Sequence, residues 1–146
     1  MGDRCWISLE FRASDKDELH AVLGRETCWG ASDLFEDEDE KDGVVIASAG
    51  EANWAWADEL DVLAATGIPF TGHHTEGSEY GAESFVCCNT GGPVYVGVSH
   101  GGDIVAPVDF KGELHPGVKE TILEFSTEVD KVEAIFDETR KLARKA

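Results

Sequence analysis

Basic side chains are missing from the middle of this chain. From Asp42 to Phe110, 69 residues carry no lysine or arginine, while ten aspartates and glutamates fall in the same stretch. Residues 26–110 hold seventeen acids against the single base Lys41, a net of −16 out of the chain's −18. Such a surplus repels itself in the folded state and repels nucleic acid and anionic membrane, so direct binding to either is not expected. Also missing are a charged leader followed by an apolar run and any segment near the ~20 apolar residues needed to cross a bilayer. The four cysteines, Cys5, Cys28, Cys87 and Cys88, show no C-x-x-C spacing, which removes the usual zinc patterns. The expectation is a cytoplasmic protein with free thiols.

What is present suffices for one globular domain, residues 1–146, with 42% hydrophobic residues, seven Phe and four Trp. Cys5, Ile7, Leu9 and Phe11 alternate with polar neighbours, the period of a half-buried strand over Cys5–Ala13. Ser14 reads as the N-cap of a short helix that Gly24 ends. Residues 25–43 read as a polar connection, with the acidic segment 33–42 inside it. Asp42-Gly43 marks a turn into a strand at Val44–Ala49. Asn53 reads as the cap of a second helix, Trp54–Ala65, whose Trp56, Leu60, Leu63 and Ala64 share one face.

Beyond it, Ile68–Thr71 is a brief extended piece, and Ser84–Asn89, Pro93–Ser99 and Ile104–Phe110 are expected as strands separated by glycine turns. Val118, Ile122, Phe125, Val129, Val132 and Phe136 form the apolar stripe of a long final helix starting near Pro116. The expected fold is α+β: a single mixed, mostly antiparallel sheet with a C-terminal three-strand meander, two short helices and a long C-terminal helix.

Chemistry-bearing patterns are few. As a calcium loop, Glu38, Glu40, Asp42 and Gly43 take positions 1, 3, 5 and 6, but Ala49 stands where the bidentate Glu belongs. No P-loop, dinucleotide fingerprint, nucleophile elbow or His-Glu-x-x-His motif occurs. No metal, cofactor or catalytic residue is therefore assigned. Seven carboxylates between Asp33 and Asp42 could imitate the charge of DNA, about one per 1.7 Å of duplex axis. Alternatively they only solvate a loop.

The candidate partner-binding set is Asp33, Glu36, Asp37, Glu38, Asp39, Glu40 and Asp42, then Asp58, Glu59 and Asp61 on the second helix, with Trp54 as an apolar anchor. The expected partner is a basic protein surface of a nucleic-acid-binding complex. A rival reading is a small enzyme or ligand-binding domain around His73, His74, Glu79, Tyr80 and one of Cys87 or Cys88. A third is a homodimer built on the C-terminal helix.

Gly67-Ile68-Pro69-Phe70, then Gly72-His73-His74, then Glu79-Tyr80-Gly81 resemble segments of small, uncharacterised acidic proteins encoded on phages and plasmids. The likeness covers a small part of the chain and transfers no catalytic residue. It implies a context in which compact acidic inhibitors, of the anti-CRISPR or anti-restriction type, occupy nucleic-acid sites on host defence complexes.

Overall fold

Alternation along the first strand sets the architecture. In the computed structural model, which describes residues 3–27, 34–89 and 91–146, β1 (Arg4–Arg12) buries Cys5, Ile7, Leu9 and Phe11. It pairs with β3 (Val44–Asn53) on one edge and β4 (Phe70–His74) on the other. With β2 (Asp37–Lys41), β5 (Glu83–Cys87) and β6 (Val94–Gly97), the described residues form one six-stranded sheet of order β2-β3-β1-β4-β5-β6. Every strand pairing in it is antiparallel. The helices are α1 (Lys16–Thr27), α2 (Ala57–Ala64) and α3 (Val118–Lys145), which makes the fold α+β.

Side chains of successive strand residues point to opposite faces, and each face has its own cover. Ile7, Leu9, Phe11, Val45, Phe70 and Phe85 pack under α1 and α2 against Leu19, Leu23, Trp56, Leu60 and Leu63. The neighbouring Val44 and Val86 point the other way and meet Val132 and Phe136 of α3. The C-terminal half of the apolar stripe on α3 is thus spent on the sheet. Backbone approach is close where β4 crosses β1, and Gly72 permits it: a Cβ there would lie 2.3 Å from the Ser8 carbonyl oxygen and 2.5 Å from Phe85.

Several local expectations change. Residues 37–41, expected within a connection, form the edge strand β2, paired with β3 from Asp37↔Ser48 to Lys41↔Val44. The Asp42-Gly43 turn, with φ of 52° and 81°, folds the acidic run back on an apolar strand, and backbone pairing overrides the poor strand propensity of its side chains. All five β2 residues stay exposed. A charged edge of this kind discourages pairing with further chains.

The first helix runs past Gly24 to Thr27, and its entry is a 3-10 turn, Ala13–Asp15, without a side-chain cap. The second starts three residues late, because Trp54, Ala55 and Trp56 are all left-handed. The three-strand meander is β4-β5-β6. Residues 104–110 contribute only isolated bridges, Val98↔Ile104 and Val108↔Leu114. Asp33, Cys28 and Thr90 lie outside the described residues.

Replacing Phe136 by alanine should detach α3 from Val44 and Val86 and lower unfolding free energy by about 3–5 kcal/mol. Urea denaturation measures this, and a loss below about 1 kcal/mol would show that α3 does not hold that face of the sheet.

Candidate functional site

The acidic residues divide between two places. On β2, Glu38 turns toward α1, where the Lys16 ammonium lies 2.8 Å away and His20 pairs with the other carboxylate oxygen. Burial works to raise the Glu38 carboxyl, but the bonds from Lys16 and His20 prevail and hold it below the usual range. Asp39 and Lys41 line a shallow cleft of about 240 Å³ on the α3 side, beside Asp42, Arg140 and Arg144. Arg144 donates to Asp42 at 2.9 Å, and Arg140 donates to Glu10 at 3.1 Å. Glu36 accepts the Gly50 amide at 3.3 Å.

The second acidic place is α2, which lies under the same face as α1 but toward the β5–β6 side. A Cβ on Gly92 would come 3.8 Å from Asp61. The Glu59 carboxyl is raised by burial and by the like charges of Asp58 and Glu26. β2 and β6 are the two edges of the sheet. Among the described residues, no salt bridge reaches Asp37, Asp39, Glu40, Asp58, Glu59 or Asp61.

Between α2 and the β4-β5-β6 meander lies a cavity of about 410 Å³, lined by Trp54, Ala55, Ala57, His74, Glu79, Tyr80, Glu83 and Tyr95. His74 ends β4 with 2% of its surface exposed. Strand register sets it opposite Glu83 on β5. One ring nitrogen, Nδ1, faces the Thr75 carbonyl at 2.8 Å, and Nε2 faces Glu83 Oε1 at 3.2 Å. Both partners are acceptors, so the doubly protonated imidazolium satisfies both. Burial alone would pull the His74 pKa down; its bonds to Cys5, Glu83 and the Thr75 carbonyl outweigh it and raise it to about 10.

The walls are pinned from the start of β1. The Asp3 carboxylate accepts the Ser78 and Glu79 amides, both at 2.9 Å, and those bonds hold its pKa down. Its carbonyl accepts the Tyr80 hydroxyl at 3.2 Å and the Trp54 amide at 2.6 Å. Trp54 stands 6.1 Å from the Tyr80 ring and is 47% exposed, while Trp56 is buried at 3%. That divergence follows from the left-handed turn, with φ of 53°, 52° and 53° at Trp54, Ala55 and Trp56. Each such residue costs roughly 1–2 kcal/mol, a strain found most often where a site requires it. The Tyr95 hydroxyl is buried and has no hydrogen-bond partner.

Of the rival set read from the sequence, the cavity gathers His74, Glu79 and Tyr80 but neither expected sulfur. His73, the strand neighbour of His74, points to the opposite face. The Cys87 thiol donates to the Asn89 carbonyl at 3.0 Å. Cys88 donates to the buried Glu128 at 2.8 Å. Burial and, for Cys88, the Glu128 carboxylate push both thiols up, that of Cys88 to about 11, away from thiolate character. The sulfur near His74 belongs to Cys5, which is 6% exposed and does not line the cavity.

Glu83 and Tyr95 had carried no sequence signal: only the pairings His74↔Glu83 and Phe85↔Tyr95 bring them to the site. Among the described residues, no group of three His, Cys, Asp or Glu side chains is placed to hold a metal ion, and no helix is long and apolar enough to cross a membrane. No family model, curated protein or solved structure matches the chain.

Because the folded-state pKa of His74 is raised from 6.5 to about 10, its contribution to stability is complete below about pH 6.5 and fades as pH rises toward 10. Urea midpoints of the native protein should therefore fall across that window. His74→Gln should be less stable at the acid end and lose this part of the slope; parallel pH curves for the two proteins would refute a charged His74.

Proposed function

We propose that this protein is a non-enzymatic acidic binder that docks on a basic, nucleic-acid-facing surface of another protein. The observation that carries this reading is a set of exposed carboxylates that, among the described residues, take part in no salt bridge. Folding gives Glu38, Asp42 and Glu10 their cations, yet among the described residues no salt bridge reaches Asp37, Asp39 and Glu40 on β2 or Asp58, Glu59 and Asp61 on α2. Glu59 is forced toward its protonated form by burial and like-charged neighbours. A docked cation relieves that repulsion, so part of the cost of folding an acidic chain returns as binding energy.

The resemblance to mobile-element proteins supports an inhibitor of the anti-CRISPR or anti-restriction type, with the carboxylates standing where DNA phosphates would lie. The acids lie on two elements, β2 and α2, and a partner can engage either group or both. A homodimer through α3 has less support, since Val132 and Phe136 already pack on the sheet. The cysteine–histidine enzyme has lost its expected sulfur. A ligand-binding role for the cavity remains compatible with docking and gives the surface a specific feature.

The test is capture of proteins from host extract on the immobilised chain, eluted by rising salt and compared between two charge-reversed variants. The expected catch is a basic, nucleic-acid-handling protein that elutes with salt, because screening is strong beyond about 8 Å at physiological ionic strength. Replacing Asp37, Asp39 and Glu40 by lysine, or Asp58, Glu59 and Asp61 by lysine, should abolish retention at whichever group makes the contact. Equal retention by the native chain and both variants would overturn the proposal.

A further inference from the structure

We propose that the cavity beside α2 is a socket for a guanidinium group, filled by an arginine side chain of the basic partner. The inference rests on the docking reading above and adds the chemistry of one contact. Every residue that lines the cavity, from Trp54 to Tyr95, comes from the segment that contains no lysine or arginine. The one cation in its wall, His74, is engaged on both nitrogens by Thr75 and Glu83. Glu83 uses Oε1 for that bond, so its second oxygen remains for a guest. Glu79 is exposed, and its backbone amide, held by Asp3, fixes its place at the rim.

Aromatic surface completes the match. Trp54 and Tyr80 stand with ring centres 6.1 Å apart and tilted by 42°, an open wedge rather than a closed stack. A planar cation prefers the face of such rings, and arginine, with five donors in a rigid fork, combines stacking with paired bonds to carboxylate. Tyr95 adds a third aromatic side chain to the lining. The cavity volume of about 410 Å³ accommodates the side chain. The left-handed turn that holds Trp54 half-exposed while Trp56 stays in the core fixes the wedge before binding.

The experiment titrates N-acetyl-L-arginine amide into the full chain, followed by calorimetry and by NMR shifts of the Trp54 indole and the Glu79 amide. Saturable binding is expected at that site. The neutral isostere N-acetyl-L-citrulline amide should not bind, and N-acetyl-L-lysine amide should bind more weakly. Trp54→Ala, which removes a cation–π face, and Glu79→Gln, which removes a charge-assisted bond, each checked for an unchanged melting curve, should each weaken arginine-amide binding about tenfold. A peptide carrying one arginine among lysines should bind more tightly than the single amide.

Absence of saturation, equal binding of citrulline or lysine amide, or indifference to both substitutions would overturn the socket. Free L-arginine binding more tightly than the peptide would also overturn it, assigning the site to a small metabolite. The variant with Asp37, Asp39 and Glu40 changed to lysine separates this inference from the docking reading. It should bind arginine amide as the native chain does, whether or not it captures a partner from extract.

Discussion

The start of β1 ties fold and cavity together. From Cys5 onward the strand lies between β3 and β4, and its inward side chains form the centre of the larger core. Just before it, Asp3 uses its carboxylate to hold the amides of Ser78 and Glu79 and its carbonyl to accept from Trp54 and Tyr80. Two distant pieces of chain, the turn into α2 and the loop between β4 and β5, therefore converge on one residue. The aromatic wedge, the rim carboxylate and the buried imidazolium owe their relative positions to that convergence. Polar contacts of this kind gain most where water is excluded and all partners are satisfied. Tyr95, with a buried hydroxyl left over, is the member of the site where satisfaction is incomplete.

Charge in this molecule is managed rather than merely tolerated. The basic end of α3 lies across the β2–β3 hairpin, so Arg140 and Arg144 offset Glu10 and Asp42, and Lys16 of α1 offsets Glu38 from the other side. The near-neutral ends of the sequence are thereby folded onto the acidic middle. Among the described residues, no lysine or arginine makes a salt bridge to α2 or to Glu79 at the cavity rim. At Glu59, near the turn that presents Trp54, burial and the like charges of Asp58 and Glu26 together raise the carboxyl pKa. A surface both anionic and aromatic is more selective than charge alone, because it discriminates among cations by shape.

Local patterns reported themselves faithfully. Alternation in β1, the apolar stripe of α3, the Asp42-Gly43 turn and the burial of Trp56 each follow from a repeat or a dipeptide, and each appears in the structure. Where the expectation failed, a non-local partner decided. Residues 37–41 have the composition of a solvated loop, yet a neighbouring apolar strand and a tight turn recruit their backbone. The glycine-separated stretch at 104–110 has the apolar content of a strand, but only isolated bridges form there. Cys87 and Cys88 stood out as a doublet, whereas the sulfur that reaches His74 is Cys5, some 69 positions away in sequence.

By itself, then, the order of amino acids determined the α+β class, the single sheet with its long covering helix, and a strongly anionic middle. Tertiary structure alone decided which carboxylates pair with Lys16, Arg140 and Arg144. It also decided that His74 meets Glu83, and that Trp54, Tyr80 and Tyr95 share one cavity. The reason is physical: periodicity records which face of an element is buried, but strand register and helix placement are settled by packing among distant segments, and no local pattern encodes them.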